Sequence, residues 1–330
     1  MPETFTVSAS PHVKDPLDTS KVMGIVCLSL LPTAIASVYL FGLNSLFVIV
    51  SSVIACELTE LGCNLLFKKP LTIMDGSAAV TGMLLAFVLP PTTPYWMVII
   101  GGVLAIFVVK QLFGGLGYNI FNPALTARAI LLASWPAAMT TWVKPVKSFF
   151  AVDTVTSASV LGVLKEAQRS GGVSEAVTSV SEGVYSYLDL FLGTVPGSLG
   201  ETCKITLLIG AAILLNAKII DWRIPCTYIG TVAVLSPFFG RDALAAVLSG
   251  GLILGAFFMA TDWVTTPTTK GGKLLFGVCC GILTSLIRSW GGFPEGVCYS
   301  ILFMNSLTPM IDKYVQPRVF GVKRKSVKNV

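Results

Sequence analysis

VMGIVCLSLLPTAIASVYLF, residues 22–41, decides the fold class, because it runs for twenty positions without one charged side chain. At about 1.5 Å rise per residue a helix of that length covers about 30 Å, the thickness of a bilayer's hydrocarbon core. A second apolar run, 45–67, follows after three residues and admits only Glu57 and Glu60 as charges. Further runs fall near 76–90, 95–110, 122–139, 203–220, 224–239, 243–260, 274–290 and 295–312. The expected architecture is an all-α polytopic membrane protein with about ten transmembrane helices. Composition agrees: of 330 residues 54% are hydrophobic and 12% charged, with a mean hydropathy of +0.79, whereas a soluble domain carries about a quarter charged residues. A water-soluble fold would have to hide nearly every such run, which the surface-to-volume ratio at this length does not permit. The third run is short and opens on Asp75-Gly76-Ser77. That pattern suits a broken or re-entrant helix whose freed backbone groups line a protected cavity.

Lysine and arginine set the orientation, because cytoplasmic loops are enriched in them. With the amino terminus inside, fifteen of them, Lys110 included, fall on the cytoplasmic side, and Lys144, Lys147, Lys165, Arg169, Lys204, Arg241 and Arg288 fall outside, with Arg128 within a run. Both termini are therefore expected in the cytoplasm, under a bacterial or archaeal inner membrane. The net charge of +6 reads as this orientation signal, and the basic tail as a membrane-facing surface with no role in nucleic-acid binding. The chain divides into a cytoplasmic segment (1–21), a first five-helix half (22–139), an extracytoplasmic segment (140–202), a second five-helix half (203–312) and the tail (313–330). An odd number of crossings per half inverts the second half relative to the first. Phe121-Asn122-Pro123 leading to Ser134-Trp135-Pro136 is echoed by Phe293-Pro294-Glu295 leading to Ser306-Leu307-Thr308-Pro309. Inverted repeats hold their ligands between the halves; recurrence of Pro and Gly at helix ends is the lesser alternative account of the echo.

Chemistry is constrained by what is scarce. His12 is the sole histidine and lies in the leader, which nearly excludes a histidine metal site or histidine acid–base catalysis. The eight cysteines form no C-x-x-C pair. Cys56 and Cys63 can share a helix face with Glu60, though small apolar packing is the better account of them. What stands out is Asp153-Thr154-Val155-Thr156-Ser157-Ala158-Ser159, a hydroxyl-rich heptad in the outer segment. Interruptions that long usually carry function. The heptad resembles the Asp-x-x-(Ser/Thr)-(Gly/Ser)-Ala-(Ser/Thr) sequence on which flavin transferases attach FMN through a phosphoester. Ser159 offers the acceptor hydroxyl, Ser157 and Ala158 the small neighbours, Asp153 an anchor for the modifying enzyme, and Thr156 a fallback acceptor.

Other segments extend the likeness. Asn122-Pro123-Ala124 with Arg128, Gly197-Ser198-Leu199-Gly200-Glu201-Thr202, Trp222-Arg223-Ile224-Pro225, Met259-Ala260-Thr261-Asp262 with Thr265-Thr266-Pro267, and Gly291-Gly292-Phe293-Pro294-Glu295-Gly296-Val297 with Met304-Asn305 occur in this order. Over residues 20–312 the chain resembles the D subunits of Rnf complexes, which are ion-pumping ferredoxin:NAD oxidoreductases. It is more distantly similar to the B subunits of sodium-pumping NADH:quinone oxidoreductases. It departs from the family in having Ser159-Val160 in place of threonine and proline, and Trp263 in place of proline.

The resemblance implies covalent FMN on the outer segment and non-covalent riboflavin between the helices. Electrons from ferredoxin would pass through partner subunits and these flavins toward an NAD-reducing subunit, coupled to movement of Na⁺ or H⁺. Since no nucleotide-binding glycine fingerprint follows a strand here, the NAD and ferredoxin sites are expected on those partners. Asn119, Asn122 and Arg128, with Asp75-Gly76-Ser77, are candidates for the riboflavin cavity. Arg128 needs a partner, whether a cofactor or one of Glu57, Glu60 and Asp262. Glu57, Glu60 and Asp262 are the ion-coupling candidates; pairing with Lys68 and Lys69, or helix-end solvation, is the alternative. Trp135, Trp142, Phe149 and Phe150 suit either ring stacking or an interfacial belt. Two other functions stay open: a solute channel of the urea or ammonium type, and a structural anchor for redox subunits.

Overall fold

The computed structural model describes residues 18–70, 72–145, 156–157, 159–169 and 186–316. His12, Phe149, Phe150, Asp153, Ala158 and the tail from 317 onward lie outside the described residues. In chain order the helices are α1 (Thr19–Phe41), α2 (Leu43–Leu66), α3 (Ser77–Phe87), α4 (Tyr95–Gln111), α5 (Pro123–Ser134), the one-turn α6 (Pro136–Met139), α7 (Val160–Arg169) and α8 (Tyr187–Leu192). They continue with α9 (Lys204–Asn216), α10 (Arg223–Phe238), α11 (Ala243–Leu248), α12 (Leu252–Leu254), α13 (Lys270–Trp290) and α14 (Val297–Tyr314). One two-rung antiparallel ladder joins β1 (Trp142–Val143) to β2 (Thr156–Ser157), setting Trp142 opposite Ser157.

Helices α1, α2 and α13 are each long and apolar enough to cross a bilayer. Helices α3, α5 and α9 and the pieces of the run 243–260 are shorter than the sequence suggested, for local reasons. Helix α3 has eleven residues, about 16 Å; beyond it the chain runs non-helically, and its Phe87 and Leu89 carbonyls accept the Gly200 and Leu199 N–H groups at 2.9 and 3.1 Å. Carbonyls that a helix end leaves open are thus met by the segment leading into α9. The run 243–260, expected as one helix, breaks at Ser249-Gly250-Gly251, where Gly250 has φ 66°. Two stretches widen into π-helix, Leu104–Gln111 within α4 and Gly255–Met259 after α12, a distortion that recurs at functional sites.

Packing is governed by small residues. Helix α10 lies along α13, where a Cβ on Gly281 would stand 2.6 Å from Thr231 Cβ and 3.0 Å from the Tyr228 carbonyl. Gly277, one turn earlier, meets Thr227 and the Ile224 carbonyl in the same way. Lipid tails are as apolar as leucine, so close backbone approach of this kind drives association in a membrane. Helix α2 packs on α3 and α4, α1 on α9, and α5 on α14. One large apolar core runs through these helices. A separate small core of Val160, Leu164, Leu190, Val195 and Ala245 holds α7 against α8 and α11.

Candidate cofactor and ion sites

The first site is built around Ser159. Its Oγ accepts the Gly162 N–H at 3.1 Å and its carbonyl accepts the Val163 N–H at 3.0 Å, so Ser159 caps α7. The apolar face of α7, with Val160, Leu161 and Leu164 buried, fixes the cap against the body. Lys165 adds hydrogen bonds to the Gly291 and Phe293 carbonyls, the latter at 2.8 Å. Ser159 lines a pocket with Trp142, Glu201, Thr202, Lys204, Ser249 and Glu295. Behind it Arg128 holds two carboxylates, Glu201 at 3.1 Å and Glu295 at 2.6 Å. Glu295 Oε1 also accepts the Gly251 N–H at 2.8 Å, and Arg288 donates to the Ala246 and Ser249 carbonyls at 2.7 and 3.2 Å. The helix break at 249–251 is therefore sustained by charged side chains that satisfy its exposed backbone, as a membrane interior requires. The pocket suits a phosphate group, since the Thr202 and Ser249 hydroxyls on its wall are buried and have no hydrogen-bond partner among the described residues.

The inner site is a cavity of about 540 Å³ between the two sequence halves. Its walls are mostly apolar, with Asn119, Asn122, Ser77, Thr81, Lys110 and Asp262 as polar points. Both π-helical stretches reach it, through Lys110 and through Phe257 and Phe258. Asn122 caps α5, accepting the Leu125 N–H at 3.2 Å, and its amide donates to the Met259 carbonyl at 3.3 Å. Its own N–H is met by the Asn305 amide oxygen at 3.2 Å, so this asparagine ties α5 to α14 and to the chain before Asp262. At the edge of the cavity Lys110 binds both oxygens of Glu60 (2.8 and 3.0 Å) and Ser77 Oγ (2.6 Å). Thr72 donates to Glu60 at 2.9 Å. The pair is buried, with 3% and 1% of the two side chains exposed, so each charge depends on the other. Outside the spans, Asp221 accepts the Arg223 N–H at 3.1 Å and binds Arg223 at 2.9 Å and Lys273 at 3.2 Å. Burial works against its ionised form, but the Arg223 amide and the two cations outweigh it and hold the carboxyl below its ordinary range.

The family model for NQR2, RnfD and RnfE matches residues 6–321. The chain belongs to the NQR2, RnfD, RnfE family. Among its relatives, the D subunit of the proton-translocating ferredoxin:NAD(+) oxidoreductase complex of Clostridium ljungdahlii is 48% identical, over 97% of both chains. The D subunit of the Na(+)-translocating ferredoxin:NAD(+) oxidoreductase complex of Acetobacterium woodii is 44% identical over 97% of this chain and 96% of its own. The D subunit of the ion-translocating oxidoreductase complex of Stutzerimonas stutzeri is 38% identical over 91% and 92%.

Within this family member the residues singled out from sequence fall into separate places. Asn119, Asn122, Ser77 and Asp262 share the inner cavity. Arg128 does not: it lies six residues, about 9 Å, further along α5 and pairs with Glu201 and Glu295 instead of Glu57, Glu60 or Asp262. Glu60 pairs with Lys110, whereas Lys69 reaches Gln111 (3.4 Å) and the Gly114 carbonyl (3.1 Å). Glu57 is half-buried on α2, and Asp262 accepts the Thr265 hydroxyl at 3.2 Å. Ser157 sits one position before the undescribed Ala158, and Thr156 is described by its backbone pairing with Val143. Trp142 joins the Ser159 pocket, while Trp135 packs edge-on against Trp96 at 5.3 Å. Sequence reasoning passed over Lys204, Glu201, Glu295 and Arg288 as site residues. Their signal was the presence of charge at the ends of apolar runs, which a membrane tolerates only when it is paired.

Proposed function

We propose that the chain is the membrane subunit of an ion-translocating ferredoxin:NAD⁺ oxidoreductase complex, as relatives at 48% and 44% identity are named. In this reading it carries FMN through a phosphoester at Ser159, with Thr156 as fallback acceptor, holds riboflavin in the inner cavity, and relays electrons in step with Na⁺ or H⁺ transfer. Flavin, when bound, supplies the electron-transfer chemistry, and the protein supplies position, electrostatics and exclusion of water. The observation that carries the reading is the placement of the Ser159 hydroxyl at a pocket with unpartnered hydroxyls on its wall. For riboflavin, the support is a cavity of about 540 Å³, within the ~300–1,000 Å³ range of small-molecule sites, mostly apolar with a few fixed polar groups. Asn119 and Asn122 would orient the ring, and the apolar wall of Phe257 and Phe258 would keep water out. Coupling has a physical route here, because Lys110 and Asp262 border the same cavity: any charge gained or lost there changes the energy of the Glu60–Lys110 pair, and the reverse holds by linkage.

The same reading takes the chain as ten crossings in two inverted halves with both termini in the cytoplasm. Two features support it. Helix α1 packs on α9 and α5 on α14, joining equivalent members of each half. Setting aside the buried Lys110 on one side and the buried Lys165, Lys204, Arg241 and Arg288 on the other sharpens the charge bias to fourteen against three. The decisive experiment is flavin fluorescence of the denatured subunit on a gel, from cells that contain a flavin transferase. Ser159→Ala is expected to darken the band and Thr156→Ala to leave it bright; the reverse pattern moves the acceptor to Thr156. A dark wild-type band refutes covalent attachment and favours a channel or an anchor. Riboflavin is tested by native extraction and chromatography, where loss of the free flavin in Asn122→Leu is the expected result.

A further inference from the structure

The pocket behind Ser159 contains bonding capacity that the fold leaves unused. Thr202 and Ser249 line it and are 2% and 1% exposed, and their buried hydroxyls have no hydrogen-bond partner among the described residues. A buried hydroxyl without a partner loses its hydration for no return, so two on one wall point to a ligand that supplies acceptors.

Charge points the same way. Around the break at 249–251, three buried cations (Arg128, Lys204 and Arg288) gather with two carboxylates (Glu201 and Glu295), which leaves one positive charge in excess within this group. Arg128 takes both carboxylates, whereas the Lys204 ammonium, which lines the pocket, donates to the carbonyls of Glu201 and of Gly250, the latter at 2.8 Å. A third feature is the position of Ser159 at the start of the ten-residue α7, where the Val160 and Leu161 N–H groups have no intrahelical acceptor and the helix dipole favours an anion.

We propose that Thr202, Lys204 and Ser249 form a phosphate seat, which receives the phosphodiester of the flavin carried on Ser159 and thereby fixes where the ring stands. The inference rests on the attachment at Ser159 proposed above. A phosphodiester carries a single negative charge, which balances the excess, and its two free oxygens accept from the two hydroxyls and the ammonium. The seat holds the flavin by its linkage, so the isoalloxazine can lie along Trp142 without a hydrogen bond of its own to the chain.

The test uses the intact complex in native membranes and a soluble phosphodiesterase, which cleaves the linkage only when it swings free. Samples withdrawn over time are denatured and the fluorescence of this subunit's band is followed. Wild type is expected to lose flavin slowly. The double variant Thr202→Val, Ser249→Ala is expected to start equally bright and lose it at least about a hundredfold faster, as the removal of two hydrogen bonds to a charged group predicts. In a Ser159→Ala background the same two substitutions should not lower the unfolding midpoint, since neither hydroxyl has a partner to lose among the described residues. Equal cleavage rates in wild type and double variant overturn the seat while the bright band leaves the attachment standing. A dark wild-type band overturns both.

Discussion

Replacing Arg128 with methionine removes the cation, midway along α5, that pairs with both Glu201 and Glu295. Its two contacts, 3.1 and 2.6 Å, correspond to roughly 5 and 6 kcal/mol of attraction at an effective dielectric of about 20. Most of that offsets the cost of burying three charged groups. The net loss on deleting one partner of such a pair is about 3–5 kcal/mol, because the carboxylates are left buried and facing each other across Gly251. Neutralising all three groups is a different change. In the triple variant Arg128→Met, Glu201→Gln, Glu295→Gln the two carboxylates no longer face each other uncompensated, and glutamine at 295 can still accept the Gly251 N–H, but Lys204 and Arg288 lose their counter-charges, so only part of the loss should be recovered. The assay is reversible unfolding of the purified protein by SDS in mixed micelles, with helicity read by circular dichroism. A single variant within about 1 kcal/mol of wild type would show that the triad is not what joins α5 to the 249–251 break. A triple variant as unstable as the single one would show that the stranded carboxylates do not set the cost.

Two further outcomes follow from named contacts. Gly281→Leu should separate α10 from α13, since even a Cβ there comes within 2.6 Å of Thr231; a loss of at least about 2 kcal/mol is expected in the same assay, and an unchanged midpoint would refute the close approach. Asp221→Asn should cost under about 1 kcal/mol at neutral pH, being a partly exposed pair at a helix end. The Asp221 carboxyl is held low in the folded protein, so its contribution is complete above the unfolded value of about 4 and fades as pH falls through the lower folded value. Wild type and variant should therefore converge on acidification, and a gap that did not narrow as the pH was lowered below about 4 would contradict the assignment.

Much of the scaffold was legible because its signals are local. A run such as 22–41 can be nothing but a helix when no water is present to satisfy its backbone, and Asp75-Gly76-Ser77 announced the short α3 through the turn chemistry of its first residues. The break at 249–251 had a local sign too, Gly250-Gly251 inside an apolar run, yet hydropathy averages over such a pair and reported one helix. The charge networks were not legible in the same way. Arg128 finds Glu201 and Glu295 across 73 and 167 residues, and nothing in the spacing encodes that choice. Counting Lys204, Arg241 and Arg288 as orientation signals treated them as loop charges in water, whereas each is buried and bonded to the backbone of a neighbouring segment. Composition could say that such charges need partners; only the three-dimensional path of the chain could say which.

The small core under α7 has a consequence for the order of events in biosynthesis. Val160 and Leu161, the two residues after the acceptor, are sealed against α8 and the 249–251 break, and a modifying enzyme must grip the chain on both sides of the hydroxyl it loads. On the proposed attachment, loading belongs to the interval before this helix settles. On that proposal flavin comes first and closure of the layer over α7 second, so a subunit that skips the first step would be locked out of it once this helix has packed.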